Sequence, residues 1–530
     1  MMRKLLIITS MLYGSLFAQE NDLAIQKIET VINYIDQFYV DDVNKNEIVD
    51  NAIINMLKEL DPHSVYISKE EVEEMNEPLV GNFEGVGIQF NILEDTIIVV
   101  ATIAGGPSEK VGIQAGDKIV FIDDILVAGN GISNKGVVEK LRGDKGTEVK
   151  VKIKRGGSKS LLDFRIVRDK IPIFSVDAAY MATDKIGYIK VNRFAAKTPE
   201  EFKDALLDLK SKGMTDLIID LQGNSGGYLN AAFQMADELL DDGKLIVYTE
   251  GINSPRNEMK ATAYGNYEKG NVVVLIDQYS ASASEILSGA IQDWDRGLVI
   301  GRRSFGKGLV QRPFPLPDGA QVRLTIANYY TPSGRFIQKP YDHGIDDYRQ
   351  DIAHRFESGE LTDSAIQHFP DSLKFTTPNG RTVYGGGGIT PDIYVALDTS
   401  FSSDFYSNVL RSGLINKYSL SYASHNRKSL LEFYPNLMKF DENFDADDEF
   451  MEEFLAFCKT ENVEYKLEDV LKSKRFIGIQ LKALIARNLY NNEAYYYIYN
   501  KELNDSYLKA IESIQNNLFQ KYNINSWTKK

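Results

Sequence analysis

The chain has 530 residues, of which 43% are apolar and 25% charged, with a formal net charge of −15. This is enough material for roughly three or four domains with substantial cores, and the surplus of acids argues against a whole-chain nucleic-acid binder, because that affinity rests on Lys and Arg neutralising phosphates. One cysteine, Cys458, excludes an intramolecular disulfide, and one Cys beside five scattered His excludes a Cys/His zinc cluster.

Residues 1–18 read as a signal peptide. Arg3 and Lys4 precede the mostly apolar run Leu5–Phe17, and Ala18 stands before the polar Gln19–Asp22. The expectation is an exported, bacterial, periplasmic protein, in keeping with the absence of disulfides. No Cys follows the apolar run to carry a lipid, and no later stretch is long and apolar enough to span a bilayer, so no stable membrane anchor is expected. Residues 19–78 form a helical segment: Ile25, Ile28, Val31, Ile32 and Ile35 recur at helical spacing, as do Ile48, Ile53, Ile54 and Leu57, until Asp61-Pro62-His63-Ser64 ends the pair.

Residues 79–170 change to short β-rich runs separated by Gly and Asp turns, with one helix at Ser133–Leu141. Residues 171–396 alternate strand and helix, the pattern of a layered α/β core. Within them, 341–375 are polar and read as a surface insertion, and four glycines, Gly385–Gly388, lead to a short strand at Asp392–Val395. Residues 397–530 carry Tyr-rich helical patterns and read as a separate helical domain.

The chemistry concentrates between 272 and 311. A buried strand, Val272–Ile276, turns through Ser280-Ala281-Ser282-Ala283-Ser284-Glu285 into a helix. A serine at such a junction faces the free N–H groups and positive dipole end of the helix, which favour an oxyanion, although a serine there also serves as a plain helix cap. Lys307 lies in Ser304-Phe305-Gly306-Lys307-Gly308. Desolvation disfavours an ammonium ion, and a neutral amine can take a proton from a serine hydroxyl; the competing reading is a solvated loop lysine. All five His lie outside the 185–340 core, so a Ser-His-Asp arrangement, reachable only through folding, has no motif behind it. A second strand, Leu217–Leu221, runs into the glycine-rich turn Gln222–Gly227, whose amides could supply half of an oxyanion hole.

Together these segments resemble the C-terminal processing peptidases, or tail-specific proteases. That family has a SASASE-type segment, an FGKG motif 25 residues later and a Gln four residues beyond the Lys; here the spacings join Ser282, Lys307 and Gln311. Its DLRxNxGG-type turn is matched by Asp220–Gly227, with Gln222 where the family usually has Arg. Leu60-Asp61-Pro62-His63-Ser64 followed by Gly81–Gly87 resembles the entry to the family's PDZ module. The resemblance implies a crotonase-like α/β protease core with an inserted PDZ domain. It implies Ser282 as nucleophile, Lys307 as general base and Gln311 as the residue orienting the lysine. The amide of Ala283, with that of Gly226 or Gly227, would form the oxyanion hole, and Gly85, Val86, Gly87 and Ile88 would hold a substrate's C-terminal carboxylate by nest-type capture and strand addition. Asp293 matches a family acid and is expected to be structural, because a carboxylate beside Lys307 would hold the ammonium form. No cofactor or metal is implied. The expected partners are protein or peptide substrates with free C-termini, not nucleic acid, and residues 397–530 are expected to serve dimerisation or substrate gating. The rival readings are a non-catalytic PDZ adaptor, disfavoured by the intact Ser282, Lys307 and Gln311, and a crotonase-type enzyme acting on acyl thioesters, disfavoured by the serine–lysine pair and the PDZ module.

Overall fold

The computed structural model describes residues 23–103, 105–156, 158, 160–363 and 370–524. The expected signal peptide at 1–18 lies outside the described residues. The chain divides into two compact units, one made of residues up to 69 together with 311–325, the other of 70–310 and 326–530.

In the smaller unit, helix 23–38 is followed by helix Lys45–Lys58, which Asn44 caps by accepting the Glu47 N–H. The Asp61-Pro62-His63-Ser64 segment is a side-chain-built turn. One Asp61 carboxyl oxygen accepts the backbone N–H groups of His63 (2.8 Å) and Ser64 (2.9 Å) and the Thr325 hydroxyl (3.1 Å), while the other accepts the Ser64 hydroxyl at 2.6 Å. It launches the strand Val65–Ile67, which pairs antiparallel with 321–323, Val65 opposite Arg323.

The larger unit begins with a β-rich module. Its main sheet runs in the order Ile88–Leu93, Thr96–Thr102, Lys118–Ile122, Glu148–Lys154, Leu162–Val167, so Ile88–Leu93 is an edge strand. Alternation explains the burial. In Glu148–Lys154, Val149, Val151 and Ile153 enter the module's core while Lys150, Lys152 and Lys154 point outward or to its margin. The strands Asn82–Gly85 and Ile88–Leu93 are separated by Val86-Gly87, where Gly87 has φ +75°. A Cβ on Gly87 would stand 2.9 Å from the Ile171 side chain, so both conformation and space call for glycine.

The α/β core is a six-stranded sheet in the order Val176–Met181, Ile186–Val191, Asp216–Asp220, Asn271–Ile276, Leu298–Gly301, Ile393–Tyr394. The first pair is antiparallel and every later pair parallel. Near-continuous apolar runs such as Val272–Ile276 are buried throughout because both faces are covered. Leu217, Ile219, Val272, Val274 and Ile276 face the helices Thr198–Ser211, Leu229–Asp237 and Ala283–Asp293. Ile218, Val273, Leu275 and Ile300 face the other way, onto Tyr507, Ala510, Phe519 and Ile524 of the C-terminal segment.

That last packing modifies the reading of 397–530 as a body apart. Phe405, Phe440, Phe454, Ile477 and Leu481 do build a helical core of their own. The helix Asp505–Gln515 and the turn after it instead close one face of the six-stranded sheet. The expected polar surface insertion is also more than surface: it contains the helix Ile345–Glu357, whose Tyr348 and Arg355 are buried.

Candidate active site

Two turns leave the carboxyl ends of neighbouring parallel strands, Asp216–Asp220 and Asn271–Ile276, whose ends pair Asp220 with Leu275. Adjacent parallel strands deliver their following loops to the same sheet edge, the usual place for a site in an α/β sheet. The turns at 222–227 and 277–282 therefore lie side by side and are stitched together. Ala281 N–H donates to the Asn224 carbonyl (3.1 Å), Gly223 N–H to Asp277 Oδ1 (3.0 Å), and the hydroxyls of Ser280 and Ser284 to the carbonyls of Leu221 (2.9 Å) and Asn224 (2.8 Å).

These bonds separate the three serines. Ser280 and Ser284 are fully buried and spent on backbone carbonyls, whereas Ser282 alone is partly exposed. Ser282 has φ 55° and ψ −111°, a region rarely held by a residue with a Cβ, at the N-terminus of helix Ala283–Asp293. Such strain costs about 1–3 kcal/mol and persists only where the surroundings impose it.

The Ser282 backbone is held on both sides, the carbonyl by the Tyr329 hydroxyl (3.1 Å) and the N–H by Glu285, which the sequence reading includes only as part of the motif. Its carboxylate is completely buried. Oε2 accepts the N–H groups of Ser282 (2.7 Å) and Lys307 (2.9 Å); Oε1 accepts the Ser304 hydroxyl (2.5 Å) and Gly306 N–H (2.7 Å). One side chain thus ties the backbone of the candidate nucleophile to that of the candidate base. Burial pushes its pKa up to about 7, against the four donors that favour the carboxylate. The signal was present as a Ser-x-x-Glu capping-box spacing.

Of the two glycines read as oxyanion donors, the geometry favours one. Gly226 N–H is taken by Asn224 Oδ1 at 2.9 Å. Among the described residues no acceptor is recorded for Gly227 N–H or Ala283 N–H. Gly226 instead lets the two turns approach each other. Its φ is +103°, and a Cβ there would lie 2.8 Å from the Ala281 carbonyl and 2.9 Å from Ser282 Cβ.

The Lys307 loop is held closely. Phe305 N–H donates to the Ser280 carbonyl (3.0 Å) and Lys339 N–H to the Gly306 carbonyl (3.0 Å). A Cβ on Gly308 would come within 2.9 Å of Gln338 N, and one on Gly306 within 3.0 Å of Gly388 N. From the insertion, Arg355 donates to the carbonyls of Ser304 (3.2 Å) and Arg303 (2.7 Å), and Glu360 pairs with both Arg303 and Arg355. Gln311 lies in the smaller unit, where its side-chain amide donates to the His63 carbonyl. Asp293 is fully buried, pairs with the equally buried Arg335 at 2.5 Å and accepts Ser333, an arrangement that fits the structural role expected for it.

In the β-rich module, the Val86 carbonyl accepts Ser108 (N–H at 3.0 Å, hydroxyl at 2.7 Å) and the Gly87 carbonyl accepts Ile103 N–H at 3.0 Å. Both carbonyls are so engaged, and no acceptor is recorded for the N–H of Val86 or Gly87 among the described residues. The Val86 side chain is buried in the module's core, because the loop turns it inward, while Ile88, on the edge strand, is half-buried. Gly85 is paired with Asp169 in a short separate ladder. Among the described residues no group of acidic, His and Cys side chains is arranged to hold a metal, and no helix is long and apolar enough to cross a membrane.

Comparison with known proteins finds four family models: Peptidase family S41 over residues 185–347, a PDZ domain over 85–166, the N-terminal domain of the activating protease CtpB over 14–71, and a family of unknown function over 405–491. The chain is 35% identical to the carboxy-terminal processing protease CtpB of Bacillus subtilis over 324 residues, covering 60% of this chain and 67% of that protein. It is 39% identical to the carboxy-terminal-processing protease of Bartonella bacilliformis over 306 residues, 57% of this chain and 69% of that one. Among solved structures, a photosystem II D1 C-terminal processing protease matches at 25% identity and a TM-score of 0.36, over 72% of this chain and 90% of that one.

Proposed function

Because the chain belongs to the C-terminal processing peptidases, a family of serine-type proteases built from an S41 core and a PDZ domain, we propose that it is an endopeptidase that captures protein tails through its PDZ module and cleaves with a Ser282–Lys307 dyad through an acyl-enzyme. The observation that carries the reading is Glu285, which binds Ser282 N–H and Lys307 N–H with one carboxylate oxygen.

The steps follow from the side chains. Lys307, as the neutral amine, accepts the Ser282 hydroxyl proton while Oγ attacks the scissile carbonyl carbon. The new oxyanion takes hydrogen bonds from the N–H groups of Gly227 and Ala283, with the N-terminus of helix Ala283–Asp293 adding its dipole. The tetrahedral intermediate collapses, the C–N bond breaks, and the ammonium of Lys307 returns its proton to the leaving amine. Water then attacks the ester, with Lys307 again as base, and releases the acid and free Ser282. The loop amides at Val86 and Gly87 take the tail's carboxylate, and the edge strand Ile88–Leu93 takes the tail as an added strand. The leader-like residues 1–18 support an exported enzyme.

The test uses one unstructured substrate with an apolar last residue, made as the free acid and as the C-terminal amide. Amidation removes the charge and changes little else. The free acid is cut several-fold faster at sub-saturating concentration, and Ser282→Ala cuts neither. Equal rates for the two forms would refute tail recognition by this loop. Binding of tails without cleavage by the wild-type chain would favour a PDZ adaptor.

A further inference from the structure

The glycine turn at 222–227 opens on Gln222, where the family's pattern has Arg, and the structure gives that glutamine a partner from far along the chain. Asn504 joins the helices Asn492–Leu503 and Asp505–Gln515. Its side-chain amide donates to Gln222 Oε1 (2.9 Å) and to Asn500 Oδ1 (2.9 Å), while its Oδ1 accepts Tyr507 N–H at 3.2 Å as a helix cap. Asn500 is 1% exposed and donates to the Tyr180 hydroxyl at 3.0 Å. The rings of Tyr180 and Tyr188 lie 4.9 Å apart, and the Tyr188 hydroxyl donates to Asp220 Oδ2 at 2.7 Å. Asp220 Oδ1 accepts Gln222 N–H (2.8 Å) and Lys190 Nζ (3.1 Å), and Lys190 also donates to the Gln222 carbonyl. Both the backbone and the side chain of Gln222 are therefore fixed, the side chain by the C-terminal segment.

We propose that Asn504, braced by Asn500, is a positioning residue for catalysis: by holding Gln222 it sets the turn that carries Gly226 and Gly227, so the C-terminal segment takes over the support expected from an arginine at 222. The inference rests on the reading of that turn as an oxyanion turn. The physical link is short. Asn224, two residues beyond Gln222, binds Gly226 N–H with its side chain and accepts Ala281 N–H and the Ser284 hydroxyl with its carbonyl. A shift at Gln222 therefore reaches the amide aimed at the developing oxyanion and the segment beside Ser282. Hydrogen bonds to an oxyanion strengthen in the transition state, so misplacing that amide lowers kcat and leaves ground-state binding through the separate PDZ loop unchanged.

The test measures kcat and KM on the free-acid substrate for Gln222→Ala, Asn504→Ser, their double variant, and Gln222→Arg combined with Asn504→Asp. Serine keeps the helix cap but is too short to reach Gln222. Each single variant should lose roughly five- to tenfold in kcat, the rate equivalent of one net hydrogen bond, with KM unchanged. The double variant should fall no further than the worse single one, and the Arg–Asp pair should recover most of the loss. Unchanged kcat in both single variants, a change confined to KM, or independent losses that multiply in the double variant would overturn the proposal. If Asn504→Ser does not fold, Gln222→Ala, which leaves every C-terminal side chain in place, decides alone. Ser282→Ala runs alongside: if it still cleaves, the reading of the site itself has failed, whereas if it is dead and the Gln222 and Asn504 variants match wild type, only the present inference has.

Discussion

Glu285 is a buried carboxylate that meets four N–H and O–H donors, so its ionised form is held by the geometry of those donors. Glutamine at 285 keeps the size but turns an NH2 group against N–H or O–H donors. Glu285→Gln should therefore lower kcat about a hundredfold while the chain stays folded, as read by steady-state kinetics beside a thermal melt. The pH behaviour has two opposite signs. Activity needs the carboxylate, so it should fall as pH drops through about 7. Stability runs the other way: a carboxyl whose folded pKa lies above the ordinary 4.5 stabilises the fold fully below that value and loses the contribution as pH rises through about 7. Urea midpoints of wild type and Glu285→Gln should diverge on acidification, with the wild type gaining; parallel curves would contradict the assignment. At the same scale, Ser282→Ala and Lys307→Ala should each remove activity and together remove no more, because nucleophile and base act as one unit.

Between the two turns, Gly226 leaves no room for a side chain. Gly226→Ala would place a methyl group against the Ala281 carbonyl and Ser282 Cβ at a φ of +103°, so activity should be lost along with roughly 1–3 kcal/mol of stability, measurable by urea titration. Much at this scale was legible beforehand. Alternation of strand and helix announced the layered core, and the spacings from Ser282 to Lys307 and Gln311 singled out the serine that the structure leaves partly exposed. The role of Glu285 was not, because a capping-box glutamate has the same spacing whether or not a second loop shares its carboxylate. Nor could a sequence tell Gly226 from Gly227: the difference lies in where Asn224 aims its side chain. The inward turn of Val86 was hidden too, since a valine in a Gly-Val-Gly loop can face either way.

At the scale of the whole molecule, the C-terminal segment changes meaning. Its helical periodicity shows an apolar stripe but not the surface that stripe seeks, so a separate domain was the natural reading. In the structure Tyr507, Ala510, Phe519 and Ile524 cover Ile218, Val273, Leu275 and Ile300. A chain ending at residue 396 would expose that sheet face, at about 25 cal/mol per Å² of apolar surface, and should aggregate or melt well below the full chain. A truncated chain that stays monomeric with an unchanged melting temperature would show that the segment is dispensable to the core. Bond-making at Ser282 is tested most directly by acid-quenching the enzyme during turnover of a tailed substrate and locating the covalent adduct by peptide mass spectrometry. The account predicts an acyl group of the substrate's N-terminal fragment on Ser282, absent from Ser282→Ala, whereas an adduct on Ser280 or Ser284, or undiminished cleavage by Ser282→Ala, would contradict it.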